Sequence, residues 1–308
     1  MISKKKNILV VLGGTSRERK ISLESGKACI RSMKRSGYNV RKFDPKKNFF
    51  NEIGKKRIDV IFNALHGKDG EDGNAQSHFE YLKIPYTHSG VLSSMKCMDK
   101  KISKKIFNKN KILTAKSVVI KDAEVNLNKI IKKYKLVFPL IVKPTNEGSS
   151  IGVTICKNIK SLKLTIKRSI KDYKNLMIEN FIDGQEIQVA VMNGKALGAI
   201  ELKPKRIFYD YTAKYSKAAK TEHIMPANIS KKFYQKVLKI AEKTHKVMEC
   251  KGITRSDFKF YKNEFYLLEI NTQPGMTSLS LVPEIAKYKK ISFDNLVRKI
   301  IEDASINR

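Results

Sequence analysis

The first 95 residues combine short apolar runs with one long amphipathic pattern. Residues 7–12 are almost continuously apolar and end at a pair of glycines, which is typical of a strand buried on both faces. A polar start at Ser16 leads into a helix pattern that ends at Gly37. Two further apolar segments that fit strands follow at 38–43 and 58–64. This order predicts a small parallel α/β lobe.

The rest of the chain changes to short strand patterns with helices between them. Strands are predicted at 118–120, 139–143, 151–156, 176–179, 186–192 and 197–202, and helices at 126–134, 158–172 and 230–249. A hairpin pattern at 255–269, a Pro/Gly-rich loop at 271–278 and a helix from Ser292 complete the chain. We therefore expect three packed lobes, at 1–95, 96–183 and 184–308.

The hairpin carries two carboxylates and an amide that could share one site. Glu269 and Asn271 are two residues apart on a strand and point to the same side. A two-residue turn would pair Asp257 with Leu268 and send the carboxylates to opposite faces, whereas a three-residue turn pairs Asp257 with Glu269. The second register gathers hard oxygen ligands, which suit magnesium. The magnesium interpretation uses this second register, and a solvent-facing polar edge is disfavoured because Asn271 enters an unusually specific loop.

A second candidate element is the segment that follows the strand at 139–143. Here the strand delivers Lys143, and the small residues Gly148, Ser149 and Ser150 then form a loop. Such a loop leaves backbone N–H groups free to approach a phosphate, with lysine as the counter-charge. The segment lacks the spacing of a Walker P-loop.

The large positive net charge does not by itself indicate a nucleic-acid-binding function. The 308 residues contain 63 Lys and Arg against 29 Asp and Glu, a formal net charge of +34. Such a balance is common in nucleic-acid-binding proteins. The lysines, however, are spread along the whole chain, including the predicted surface helices at 100–111 and 231–246, and no nucleic-acid-binding motif accompanies them. We interpret them as solvated faces and expect no specific nucleic-acid partner.

Other features of the composition indicate an intracellular protein. The apolar stretch near the N-terminus is too short for a signal peptide, and no run approaches the length of a membrane span. The four cysteines are scattered and the five histidines do not cluster, which excludes a zinc motif. We expect a cytoplasmic protein with reduced thiols and no membrane association.

Together, the hairpin and the small-residue loop resemble the ATP-grasp superfamily, and more closely its D-alanine–D-alanine ligase family. The motifs that carry the resemblance occur in the family's order from residue 7 to about 303. They are Gly13-Gly14-Thr15-Ser16-Arg17-Glu18-Arg19, His66-Gly67 with Gly70-Glu71-Asp72-Gly73, Phe208 to Tyr215, Arg255 with Asp257, and Asn271 to Thr277. The resemblance implies an α/β and α+β ATP-grasp fold in which a Rossmann-like parallel lobe precedes the two ATP-grasp lobes.

The resemblance also implies a reaction and a set of binding residues. Two D-alanine molecules would be joined through a D-alanyl phosphate, with ATP consumed, to supply peptidoglycan precursors. Two Mg²⁺ ions, for which Mn²⁺ could substitute, would be held by Asp257, Glu269 and Asn271. The nucleotide would be bound by Lys100, Lys143, Glu179, Phe181, Ile182, Glu186 and Lys214.

The same resemblance assigns the contacts of the amino acids. Glu18 would bind the ammonium of the first D-alanine, steadied by Ser149, which is in reach of Tyr215. Arg255 and the Gly275 N–H would form the oxyanion site, and Ser280 with Leu281 would receive the carboxylate of the second D-alanine.

Several alternatives remain open at this stage. His66 would bind substrate or merely fix its loop, and Glu71 and Asp72 would serve the site or cap a following helix. Tyr215 accompanies D-alanine as acceptor in the family, but a D-alanine–D-lactate ligase or another ATP-grasp ligase is the nearest alternative activity. A basic nucleic-acid-binding protein is the remote one. A homodimer is expected by resemblance.

Overall fold

The computed structural model describes residues 6–46, 53, 57–204, 221–277 and 279–308. Its first sheet is parallel, with β1 in the centre of the order β2-β1-β3. The elements of this lobe are β1 (Asn7–Val11), α1 (Arg19–Arg35), β2 (Asn39–Phe43), β3 (Val60–Asn63), α2 (Asn74–Tyr81) and α3 (Val91–Met98). The predicted parallel lobe is present because β1 and β3 are buried on both faces.

The second sheet is antiparallel and has the order β4-β7-β5-β6. It is reached through α4 (Lys100–Lys109), and its elements are β4 (Ser117–Ile120), α5 (Leu127–Tyr134), β5 (Leu140–Pro144), β6 (Thr154–Cys156), α6 (Ile159–Ser169) and β7 (Leu176–Asn180). The strand predicted from residue 151 begins only at Thr154, since residues 148–152 belong to a loop. This loop connects the edge strand β6 to β5, the strand that carries Lys143.

The third sheet has five antiparallel strands in the order β10-β9-β8-β11-β12. Its elements are β8 (Gln185–Met192), β9 (Lys195–Lys203), β10 (Glu222–Ile224), α7 (Lys231–Val247), β11 (Ile253–Tyr261), β12 (Glu264–Asn271), α8 (Leu281–Tyr288) and α9 (Phe293–Glu302). In the described part of the chain, no helix is both long and apolar enough to cross a membrane.

The apolar cores show how the lobes are joined. One cluster of buried residues contains Ile8 and Met33 of the N-terminal lobe together with Ile200, Leu281 and Ile300 from the C-terminal third. Helix α1 also packs against α9. The N- and C-terminal lobes therefore share a core, whereas the sheet of β4 to β7 has its own. This arrangement leaves the faces of the second and third sheets to enclose a cleft.

Candidate active site

The hairpin of β11 and β12 brings two carboxylates together by means of a β-bulge. The turn contains two residues, Lys262 and Asn263, both with positive φ (48° and 64°), as a tight hairpin turn requires. The register then shifts between Asp257 and Phe258, so that Asp257 pairs with Glu269 and Leu268 is the extra residue. The expectation of a three-residue turn is therefore wrong. The expected pairing of Asp257 with Glu269 is nevertheless present, because the bulge produces it.

Both carboxylates and the neighbouring amide are held by hydrogen bonds or ion pairs. Arg255 contacts Asp257 in a bidentate manner, with Nε–Oδ1 and Nη2–Oδ2 distances of 2.7 and 2.9 Å. Lys100 Nζ lies 3.2 Å from Glu269 Oε2. The Asn271 Oδ1 accepts the backbone N–H of Gln273 at 2.8 Å. The result is a preorganised group of hard oxygen atoms of the kind that binds Mg²⁺.

A cleft of about 770 Å³ lies between the second and third sheets, beside these carboxylates. The cleft is lined by six of the residues that were predicted to bind nucleotide: Lys100, Lys143, Glu179, Phe181, Ile182 and Glu186. Asp257 and Glu269 line the same cleft, so the structure brings the predicted nucleotide and metal residues together.

Glu179 lies at the bottom of this cleft between two lysines. Its Oε2 is 2.6 Å from Lys104 Nζ, and its Oε1 contacts Lys143. Burial raises the pKa of the Glu179 carboxyl, but the attraction of the two ammonium groups outweighs it and lowers the pKa to about 2. The carboxylate is therefore ionised, and both of its oxygens are engaged with lysines.

The small-residue loop contributes Ser150 to the lining of the cleft. Ser149 and Ser150 adopt positive φ (51° and 60°), and Lys100 Nζ donates a 2.7 Å hydrogen bond to the Glu147 carbonyl. A Cβ at Gly148 would lie only 2.8 Å from Glu18 Oε1, so only glycine fits there without displacing that carboxylate. The loop thus connects Lys100 of α4 to the N-terminal lobe.

A second cavity of about 530 Å³ is lined by Gly148 and Ser149 of the same loop. Its lining includes Glu18, Glu71, Ser149, Arg255 and Asn271, which come from all three lobes. The strongly charged lining of this cavity suits a small zwitterion better than an apolar ligand.

His66 lies fully buried beside this second cavity. Its Nδ1 is 2.9 Å from Glu71 Oε1 and its Nε2 is 3.2 Å from Ser25 Oγ. Burial lowers the His66 pKa, but the hydrogen bond and charge of Glu71, with Glu18 adding to them, raise it above its usual value. One ligand atom each from Glu18, His66 and Glu71 lie within 4.8 Å of one another. Such a group suits a cationic ligand.

Glu71 therefore does not cap the helix that follows it, one of the two roles considered from the sequence. Asp72 does contribute at that helix, because its Oδ1 accepts the N–H of Asn74 at 3.2 Å. The helix α2 begins at Asn74.

The loop after β12 places the remaining predicted residues. Ser280 Oγ accepts the N–H of Thr277 at 2.9 Å, and a Cβ at Gly275 would lie 2.9 Å from the same oxygen. Ser280 precedes α8 without capping it through its side chain, which leaves N–H groups of the first turn available for an anion. The Leu281 side chain is buried in the core, so only its backbone could meet a carboxylate. Lys214 and Tyr215 lie outside the described residues.

Three functional candidates escaped the sequence analysis. The helix at 100–111 is not simply a solvated face, because Lys100 and Lys104 are only 8% and 5% exposed. Lys259 lies 3.1 Å from Glu186 inside the cleft, and Ser25 contacts His66. A signal for Lys104 existed, since it shares the buried face of α4 with Phe107, where a lysine is unusual without a partner.

Comparisons with known proteins agree with this geometry. Family models described as D-ala D-ala ligase C-terminus and D-ala D-ala ligase N-terminus match residues 106–302 and 41–89. A D-alanine–D-alanine ligase of Pelagibacter ubique is 55% identical over 305 residues, covering 98% of this chain and 99% of the relative. One from Agrobacterium fabrum is 42% identical over 311 residues, covering 98% and 99%.

Solved structures give the same result. The crystal structure of D-alanine–D-alanine ligase from Bacillus anthracis matches with a TM-score of 0.86 at 34% identity, covering 97% of each chain. The structure of that ligase complexed with ATP matches with a TM-score of 0.85 at 30% identity, again covering 97% of each chain. The likeness confirms the predicted ATP-grasp fold class. With a family model matched over most of its length and relatives matched over nearly all of it, the chain belongs to the D-alanine–D-alanine ligase family.

Proposed function

We propose that this chain joins two D-alanine molecules to give D-alanyl-D-alanine, with ATP as the co-substrate, and so supplies a peptidoglycan precursor. The observation that carries the proposal is that the cleft and the second cavity share lining residues. Lys100, Glu147 and Glu269 line both the nucleotide cleft and the smaller charged cavity. A nucleotide in the first can therefore direct its terminal phosphate at a small carboxylic acid in the second.

The reaction follows from this arrangement in two steps. In the first, a carboxylate oxygen of one D-alanine attacks the γ-phosphorus and the bond to the β-phosphate oxygen breaks, which leaves ADP and D-alanyl phosphate. In the second, the amine of the other D-alanine attacks the acyl carbon, loses its proton, and expels phosphate. Negative charge develops in both steps, so positioning and electrostatic stabilisation provide most of the rate enhancement.

The nucleotide would be bound by the cleft residues. Lys100 and Lys143 would contact phosphate oxygens, with Lys214 joining them by resemblance. The backbone near Phe181 and Ile182 would take the adenine, while Glu186 would contact the ribose. Since the Glu179 carboxylate is engaged with two lysines, its own contribution to adenine would come from its backbone.

Asp257, Glu269 and Asn271 would hold two Mg²⁺ ions, with Mn²⁺ able to substitute. Their oxygen atoms fit this metal, because the two carboxylates line the cleft and Asn271 lies beside Glu269 in the lining of the second cavity. When bound, the ions would neutralise charge on the phosphates. Arg255, already oriented by Asp257, would with the Gly275 N–H stabilise the oxyanion of the second step.

The two amino acids would be held by groups of opposite charge. Glu18 would bind the ammonium of the first D-alanine, and His66 and Glu71 would fix the position of that carboxylate. Ser149 would support Glu18, and Tyr215 would join them by resemblance. Ser280 and the Leu281 N–H would receive the carboxylate of the second D-alanine at the start of α8.

We also propose that the chain acts in the cytoplasm, where ATP is available, as a homodimer of three-lobed protomers divided at 1–95, 96–183 and 184–308. Support for the dimer comes from exposed apolar side chains on α2, α3 and α4. They are Tyr81, Leu92, Met95 and Ile102. No specific nucleic-acid or membrane partner is proposed.

The proposal is tested by incubating the purified chain with ATP, Mg²⁺ and either D- or L-alanine. We expect phosphate release and a dipeptide mass with D-alanine alone, because Glu18 and the phosphates fix two points of the amino acid and the cavity wall fixes a third. Equal turnover of both enantiomers would contradict the assignment. Adding D-lactate in competition identifies the acceptor, since a depsipeptide differs in mass from the dipeptide.

A further inference from the structure

Lys104 lies behind the nucleotide cleft without lining it. It is one turn after Lys100 on α4 and is 5% exposed. Its ammonium has three oxygen acceptors: Glu179 Oε2 at 2.6 Å, the Ala115 carbonyl at 2.8 Å and Ser117 Oγ at 3.2 Å. A lysine nitrogen surrounded by three acceptors has all of its donors used, which is the arrangement of a charged ammonium.

Glu179 is shared by Lys104 and Lys143, but only Lys143 lines the cleft. These three side chains carry one net positive charge. Without Lys104, Glu179 and Lys143 would form a neutral pair. The charge that Lys143 presents to a ligand therefore depends on a lysine that the ligand does not touch.

This balance matters because carboxylates outnumber lysines in the described lining of the cleft. The described residues that line it include three lysines and five carboxylates, and two of the latter are the proposed metal ligands. We propose that Lys104 is a positioning residue that neutralises Glu179 and so keeps the Lys143 ammonium available to the nucleotide phosphates. The inference rests on the proposed use of this cleft for ATP.

The expected effect follows from removing one buried charge near a polyphosphate. Lys104→Met should weaken ATP binding by about 10- to 100-fold, as expected for a unit charge several ångströms away in a partly buried site. Adenosine has no phosphates, so its affinity should change by less than about threefold. The ratio of the two affinities separates loss of charge from general damage to the cleft.

The second substitution makes the test specific for charge balance. In Lys104→Met/Glu179→Gln the three positions again carry one positive charge, so the ATP-to-adenosine ratio should return to within about threefold of the unaltered chain. Lys105→Met is the matched control, because it removes an exposed charge from the next position of the same helix. We expect no change in its ratio.

The experiment is calorimetric titration of the full chain with ATP and with adenosine, both in Mg²⁺. The inference would be overturned if Lys104→Met lost affinity for ATP and for adenosine equally. It would also be overturned if the ATP-to-adenosine affinity ratio did not recover in the double variant. If Lys104→Met does not fold, the test compares the ATP-to-adenosine affinity ratio of Glu179→Gln with that of the double variant. The ratio must then be higher in Glu179→Gln than in the double variant, and equality overturns the inference. Failure of the unaltered chain to bind ATP would instead reject the proposed function.

Discussion

Ser25 of α1 contacts both His66 and the loop after β12 through one hydroxyl group. It lies on the buried face of α1, and its Oγ accepts the backbone N–H of Met276 at 3.1 Å and lies 3.2 Å from His66 Nε2. Met276 directly follows Gly275, whose N–H is a proposed oxyanion donor. The position of this donor and the orientation of His66 should therefore both depend on Ser25.

Ser25→Ala removes the hydroxyl and leaves a buried N–H without its acceptor. An unsatisfied buried group costs about 1–3 kcal/mol, so the free energy of unfolding should fall by about 2 kcal/mol. If the transition state is destabilised by a similar free energy, kcat/KM for D-alanine should fall by about 10- to 30-fold. The KM for ATP should be unchanged, because Ser25 does not line the nucleotide cleft.

The assay is steady-state phosphate release, with urea unfolding measured in parallel. Ser22→Ala is the matched control, three residues earlier on the same helix. The Ser22 Oγ also makes two buried hydrogen bonds, accepting from the Gly13 N–H and donating to the Ala64 carbonyl, each at 2.7 Å. Ser22→Ala should lower the free energy of unfolding about as much as Ser25→Ala does, but it should lower kcat/KM less. If both variants lose kcat/KM equally, Ser25 acts through stability alone and the reasoning is refuted.

Two further predictions concern the metal ligands and acid stability. Asp257→Asn and Glu269→Gln should each lower kcat by more than about 100-fold with the circular dichroism spectrum unchanged, since an amide keeps the shape but loses the charge that is proposed to hold Mg²⁺. Near-normal rates in folded variants would make the hairpin purely structural. Burial lowers the pKa of His245 to about 4, so the unfolded chain takes up its proton first as the pH falls below about 6.5. Lowering the pH from 7.5 to 5.0 should therefore reduce the free energy of unfolding by about 2 kcal/mol through His245. In His245→Gln this contribution should be absent, so the variant should lose about 2 kcal/mol less over the same range. Urea titrations of both proteins at the two pH values measure the difference.

The hairpin shows how far local patterns determine a site. The sequence offers a choice between two turn lengths for the register, and neither choice includes a bulge. The burial pattern of β12 reveals the bulge. Phe265 and Leu267 are buried two residues apart, but the next buried residue is Ile270, three positions later. Strict alternation cannot place all three on one face, so an extra residue must be accommodated between Leu267 and Ile270.

The lysines show where sequence reasoning stops. Lys100, Lys104 and Lys105 are chemically identical neighbours on one helix, yet the first two are buried and the third is exposed. Periodicity separates the two faces of α4, but it does not reveal that Glu179, 75 residues away, supplies a partner. Contacts between lobes of this kind depend on tertiary packing. For that reason the resemblance to a family, and not local pattern, supplied most of the predicted site.

One helix thus sets the charge on both sides of the proposed reaction centre. Lys100 reaches the wall shared by the two cavities, where its ammonium contacts Glu269 and the Glu147 carbonyl. One turn later, Lys104 neutralises Glu179 at the bottom of the nucleotide cleft. A rotation of α4 would move both ammonium groups together. The proposed phosphate-binding charge and the proposed metal ligands therefore depend on one rigid element, since α4 contacts the second sheet at Glu179 and the third sheet at Glu269.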